Sequence, residues 1–328
     1  MGDALNTFLR EQLEHRRDRL ESALNQFGRA GQLAQLLQEV DSALERMDQG
    51  TYGLCEACHE PVEADRLMAD PLIRFCISHL TTEQQRALEQ DLELASRTQA
   101  SLLPKPHVVQ DGWELCYHYA PLGPVSGDYV DVLTAGADGG NLFFLLGDVV
   151  GKGVAASMLM AHIHATIRTL ISLHRRVDEL VEQANRLFCE STLAAYFATL
   201  VCGRASHNGE VELSNAGHCP PLVVRGGQVE RTEPTGLPIG LFSNSQYSAR
   251  RVSLGKGETL FLFTDGLTEA RSHSGEEYGE SRLTDLLAAR HGLSPQALAA
   301  ACLEDVNAFL AGAPRADDLT IMVLRRQD

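Results

Sequence analysis

The chain has 328 residues, 44% hydrophobic and 22% charged, with a formal net charge of −16 at pH 7. Such a composition is ordinary for a soluble globular protein with one sizeable domain and a smaller module. The acidic balance argues against general affinity for nucleic acid or anionic membrane, and no apolar run reaches the ~18 residues of a membrane span. The Met1-Gly2-Asp3-Ala4-Leu5 start lacks the basic-then-apolar order of a signal peptide. Three cysteines crowd into 55–76, whereas Cys116, Cys189, Cys202, Cys219 and Cys302 sit scattered in apolar contexts. Scattered thiols of that kind predict a reducing, cytoplasmic setting.

In chain order, residues 3–48 carry a helical pattern, with Leu5, Leu9, Leu13, Leu20, Leu24 and Phe27, then Leu33, Leu36, Leu37, Val40, Leu44 and Met47. Phe27-Gly28-Arg29-Ala30-Gly31 predicts a break into a helical hairpin, because glycine is costly inside a helix; one long bent helix is the other reading. Residues 50–80 form a compact knuckle. A further helix is expected over 81–103, ended by Pro104 and Pro106. Beyond it, strands are predicted at 113–119, 128–134, 141–148, 196–204, 209–214, 221–225, 248–254, 258–264 and 319–325. Helices are predicted at 153–173, 177–191, 280–290 and 295–310. This mixture favours an antiparallel-rich α+β sandwich over a doubly wound sheet. The division expected is 1–80, 81–104 as a linker helix, and 105–328.

Within the knuckle, Cys55-Glu56-Ala57-Cys58 is followed by Cys76-Ile77-Ser78-His79. Paired soft ligands at that spacing are a strong signal for tetrahedral zinc, and four protein ligands imply a structural site. His59 competes with His79 as fourth ligand on paper, but its adjacency to Cys58 is awkward. The run Ala43 to Cys58, with Arg66-Leu67 downstream, resembles the DksA/TraR zinc finger. That family closes its site with a fourth Cys, and its hairpin tip is acidic. Here His79 stands in the fourth position and the tip around Gly28-Arg29 is not acidic, so a spacer or sensor role is expected in place of polymerase binding.

Four acidic patches hold the chemistry: Gly127-Asp128-Tyr129, Gly147-Asp148-Val149-Val150-Gly151-Lys152-Gly153, Thr264-Asp265-Gly266 and Ala316-Asp317-Asp318-Leu319-Thr320. Three sit at the edges of apolar, strand-like runs. Any single Asp there reads as a turn or cap. Several together, if they meet, repel one another unless cations lie between, and all-oxygen donors suit Mg²⁺ or Mn²⁺. The Gly151-Lys152-Gly153 run is not a Walker loop, which needs four residues between its glycines and a Ser or Thr after the Lys. Its glycines instead let the chain turn away from Asp148, and Gly266 is expected to give a tight turn after Asp265.

The constellation resembles the SpoIIE/RsbU-type branch of the metal-dependent (type 2C) protein serine/threonine phosphatases over roughly 94–325. The carrying motifs are Gln99-Ala100-Ser101-Leu102-Leu103-Pro104, Val125-Ser126-Gly127-Asp128-Tyr129, the Gly147–Gly153 run, Tyr196-Phe197-Ala198-Thr199, Asn215 to Leu222, Gly236 to Gly240, Thr264 to Glu269, and Asp317 to Thr320. The resemblance implies an αββα sandwich with two Mn²⁺ or Mg²⁺ ions at one end. It implies that Asp148 bridges both ions with the Val149 carbonyl assisting, that Asp265 and Asp317 hold one ion, and that Asp128 supports the other. Asp318 is a neighbour, and Glu269 is either an extra acidic group or a solvated one. It further implies a water activated by the ions for in-line attack on phosphorus, a phosphorylated anti-anti-sigma-type protein as substrate, and a homodimer switched through residues 84–103. His218 reads as a general acid or, preferably, as a turn residue fastening a loop; His162 and His164 read as structural. Two rivals remain: a non-catalytic transcription regulator that binds RNA polymerase through the zinc module, and a nucleotide phosphohydrolase, for which no base-recognition pocket is identifiable.

Overall fold

The computed structural model describes residues 9–10, 12–21, 31–79, 82–135, 141–173, 176–193 and 195–327. The chain divides into two compact units, Met1–Asp91 and Leu92–Asp328.

In the first unit, α1 (12–21) and α2 (Gly31–Asp48) share one core. Val40, Ala43, Leu44 and Met47 recur at helical spacing and pack with Leu9, Leu13 and Leu20, which explains why this stretch is helical although its outer face is charged. The expected break at 27–30 lies outside the described residues. Below this pair, Tyr52, Val62 and Leu67, the last on the short α3 (Ala64–Ala69), close the base, and a 3₁₀ turn spans Ile77–His79. The continuous helix α4 (Thr82–Leu102) has residues in both units and stops just before Pro104.

The second unit is two antiparallel sheets packed face to face between helical layers. One sheet has the order β1 (His107–Gln110), β2 (Trp113–Ala120), β11 (Leu319–Arg326), β10 (Thr259–Phe263), β7 (Leu222–Arg225), β8 (Gln228–Arg231). The other has β3 (Asp128–Ala135), β4 (Asn141–Val149), β5 (Ala198–Ser206), β6 (Glu210–Ala216), β9 (Arg250–Ser253). Strands β1 and β8 are short, partly exposed edges that the apolar pattern did not reveal.

The continuous apolar run of β4 follows from burial on both faces. Leu142, Phe144 and Leu146 point between the sheets, beside Leu260, Leu262, Met322 and Leu324. Phe143 and Leu145 point the other way, under α5 (Gly153–Leu170) and α6 (Val177–Ser191). On the far side, Phe261, Phe263, Ile321 and Val323 pack beneath α8 (Gly279–Ala289) and α9 (Pro295–Leu310). The three hydrophobic layers give the αββα order that the resemblance implied. They also fix strand register, since a one-residue slip would exchange every core residue for the opposite face.

Candidate active site

At one end of the sandwich the carboxylates converge. Asp128 begins β3 and lies opposite Asp148 near the end of β4, so both side chains emerge on one face. Asp128 is almost wholly buried. Its Oδ2 accepts from Thr264 Oγ1 at 3.1 Å and from Thr320 Oγ1. Those threonines are laced to each other, Thr264 N donating to Thr320 O at 3.0 Å and Thr320 N to Thr264 Oγ1 at 2.9 Å. One carboxylate of the β3–β4 hairpin thus anchors the end of the opposite sheet.

Asp265 does not close a strand as expected. Strand β10 ends at Phe263, and Asp265 opens the short helix α7 (Asp265–Thr268). Nor does Gly266 serve a left-handed turn: a Cβ there would stand 1.9 Å from Asp318 O, so glycine is required for close approach to the 317–318 segment. Asp318 accepts from Leu122 N at 2.6 Å, Ser126 Oγ at 2.7 Å and Gly127 N at 3.1 Å, which makes it the fastener of the loop before Asp128. The same loop is gripped from α4, where Gln99 Nε2 donates to Ser126 O at 2.7 Å and Gln99 Oε1 accepts from Ser126 N at 2.9 Å. Gln99 and Ser126 lie inside motifs visible in the sequence, but nothing in their spacing announces this contact. Thr264 and Thr320, equally unassigned by sequence, are legible only as neighbours of an Asp.

Electrostatics records the crowding. Burial, then Asp265, Asp317 and Asp318, pushes the Asp148 carboxyl up to about 7, against the opposing pull of Lys152. Asp128 is held well above the ordinary carboxylate range by burial and by Asp148, and Asp265 is raised by burial and by Asp317. Two further observations fit divalent cations. A Cβ on Gly127 would stand 3.0 Å from Val149 O and 3.4 Å from Asp148 Oδ1, so the glycine keeps both oxygens open. An ammonium, Lys152 Nζ, already lies 2.9 Å from Asp317 Oδ2. A hard, all-oxygen donor set of this kind suits Mg²⁺ or Mn²⁺.

The remaining sequence candidates fall into place around this cluster. Glu269 is exposed at the C-cap of α7, where burial and Asp265 raise its carboxyl. His218 fastens a loop: its N–H donates to Asn215 Oδ1 at 2.8 Å, its carbonyl accepts from Asn215 Nδ2 at 3.1 Å, and Nδ1 meets Thr199 Oγ1 at 2.8 Å. Burial lowers its pKa to about 4, which disfavours the imidazolium form that a general acid needs. His162 pairs with Ser191 and His164 faces Asp131, both away from the carboxylates. In the first unit, ligand atoms of Cys55, Cys58, Cys76 and His79 all lie within 4.8 Å of one another, a soft four-donor set that fits structural zinc. Among the described residues no helix is long and apolar enough to cross a membrane.

Residues 138–327 match the family described as Stage II sporulation protein E (SpoIIE), and residues 50–78 match the prokaryotic dksA/traR C4-type zinc finger. The chain is 26% identical over 265 residues to Protein IcfG of Synechocystis sp., covering 72% of this chain and 41% of that protein. It is 25% identical over 248 residues to phosphoserine phosphatase RsbU of Bacillus subtilis, covering 74% of this chain and 72% of that one. Its fold matches the SiaA-PP2C domain of Pseudomonas aeruginosa with a TM-score of 0.63 at 21% identity, over 74% of this chain and 97% of that domain. With more than half of its 328 residues inside the first match, the chain belongs to the SpoIIE family, and its second unit has the PP2C fold.

Proposed function

We propose that the protein hydrolyses phosphoserine or phosphothreonine on a regulatory protein, with two Mn²⁺ or Mg²⁺ ions held by Asp128, Asp148, Asp265, Asp317 and the Val149 carbonyl. The observation that carries this reading is the meeting of carboxylates from four separate segments, three of which, Asp128, Asp148 and Asp265, are raised by burial and then by neighbouring carboxylates, a crowding that cations would relieve. When bound, the ions supply an activated water and offset charge on the phosphoryl oxygens. The chain's own work is placement. The β3–β4 register sets Asp128 against Asp148, the two threonines hold Asp128 rigid, and Asp318 with Gln99 fixes the loop that carries Gly127. No covalent enzyme intermediate is needed.

The likeness to a phosphoserine phosphatase supports a phosphorylated, anti-anti-sigma-type regulator as substrate. The zinc module (1–80) regulates activity or dimerisation through the helical segment 81–104 of a cytoplasmic homodimer, and 105–328 carries catalysis. The grip of Gln99 on Ser126 supports a path from that helix to the carboxylates. The test is hydrolysis of p-nitrophenyl phosphate and of a phosphoserine peptide with Mn²⁺, with Mg²⁺ and with chelator. Phosphate release that depends on the ion and stops with chelator is expected; no ion-dependent release overturns the reading. Removing residues 1–104 should alter basal rate or oligomeric state, and unchanged values for both count against the regulatory part.

A further inference from the structure

Lysine is scarce in this chain, occurring only at 105, 152 and 256 among 28 basic residues. One of the three stands at the carboxylate cluster. Gly151 and Gly153 flank Lys152 with φ of 100° and 72°, while Lys152 itself is extended, with φ −135° and ψ 163°, at the N-cap of α5. A Cβ on either glycine would meet nothing within 4 Å, so the left-handed backbone, not crowding, selects them. The turn sends the Lys152 side chain across to the segment before β11. There Nζ donates to Ala316 O at 2.6 Å and lies 2.9 Å from Asp317 Oδ2. The other oxygen, Asp317 Oδ1, accepts from Asp318 N at 2.9 Å. Oδ2 is therefore the oxygen with room for a cation, and the ammonium already holds it.

The pair is built to exchange. The Lys152 side chain is 59% exposed and that of Asp317 43%, so water and salt weaken their attraction. An arginine would fork onto both carboxylate oxygens and resist displacement, whereas an ammonium is a single point charge on a flexible stem. A divalent ion carries twice the charge and would compete for Oδ2, and the four-carbon stem would let a displaced ammonium stay near Asp148, Asp265 and Asp318, which feel its charge in its present place. On the proposed function, the group that would come next to that place is a phosphoryl dianion.

We propose that Lys152 is an exchangeable internal cation: it occupies Asp317 until a divalent ion takes that oxygen, and the freed ammonium then binds the phosphoryl oxygens of the substrate. The inference rests on the two-ion reading above. It predicts opposite effects of one substitution on two ligands. Lys152→Met keeps the stem and removes the charge, so Mn²⁺ alone should bind about threefold to tenfold more tightly at low ionic strength, with the gain shrinking in high salt. The same variant should raise KM for a phosphoserine peptide about tenfold with a smaller change in kcat, the sign of lost ground-state binding. Lys256→Met, an equal change in net charge elsewhere, should leave both values alone.

The measurement is Mn²⁺ titration of the full chain by calorimetry, beside steady-state kinetics at saturating Mn²⁺. An unchanged Mn²⁺ affinity, an unchanged KM, or the same shifts in Lys256→Met overturns the proposal. A wild-type chain that binds no Mn²⁺ overturns the two-ion reading, and the inference with it; that result differs from equal binding by wild type and variant, which removes the role of Lys152 alone.

Discussion

The two candidate metal centres are opposites in construction. The zinc set gathers its four ligand atoms within 4.8 Å of one another from a stretch of 25 residues, 55–79. The carboxylate set draws on residues 128, 148, 265 and 317, and among the described residues no group of three or more carboxylates is gathered as tightly. Thiols and a neutral imidazole can crowd before the ion arrives. Carboxylates cannot, because like charges held together in a partly dry site push each other's pKa upward. The local knuckle therefore brings its ligand atoms together through a short stretch of chain, whereas the distant carboxylates are brought near one another by the sandwich and stand further apart.

Removing one partner at each centre tests that contrast most strongly. Asp148→Asn should lower ion-dependent phosphate release by at least about 10²–10³-fold, the scale of losing one preorganised electrostatic group, with circular dichroism and Tm of the second unit preserved. Loss of activity together with loss of fold would show that Asp148 is structural. At the other centre, Cys76→Ala should abolish bound zinc, measured by mass spectrometry, and expose 31–79 to limited proteolysis, because binding and folding are one event in small metal knuckles. Carboxylates held by their own fold should tolerate that change, so Mn²⁺ affinity stays near the wild-type value.

The pH dependence of stability sharpens the comparison further. Folding raises the pKa of Asp148 to about 7 and also raises those of Asp128 and Asp265. These three carboxylates thus bind more protons in the folded, ion-free chain than in the unfolded chain between about pH 4 and pH 7, and their contribution to stability falls as pH rises through that window, while the lowered His218 opposes them only below about pH 6.5. Differential scanning fluorimetry in chelator should show Tm lower at pH 8 than at pH 5.5 by about 5 °C, and saturating Mn²⁺ should flatten the difference. A Tm that rises over that range in chelator contradicts the crowding argument. A smaller effect is expected from Asp318→Asn, which confronts the donors of Leu122, Ser126 and Gly127 with an amide that accepts at only one atom. A stability loss of about 1–3 kcal/mol and a several-fold fall in kcat should follow, read by urea unfolding and steady-state kinetics.

Much of this architecture was legible beforehand for physical reasons. Strands β4 and β10 lie between two apolar layers, so their sequences read as unbroken hydrophobic runs; α6 and α9 begin and end where the pattern placed them. The zinc ligands were legible because both halves of the set are local pairs. What escaped detection depends on partners remote in sequence. The edge strands β1 and β8 carry too few buried residues to mark themselves, and the local pattern around Gly266 predicts a turn while its glycine is required by close approach to Asp318 O.

Side-chain periodicity and pair spacing, which operate over a few residues, therefore determined the elements, the knuckle and the identities of the acidic positions. Only the packed sandwich decided that Asp128 is seated on Thr264 and Thr320, that Asp318 fastens a loop instead of standing free, and that Lys152 reaches Asp317. Those contacts join residues 136 to 192 positions apart, and no local rule connects such residues until strand register and sheet packing bring their atoms within hydrogen-bond distance.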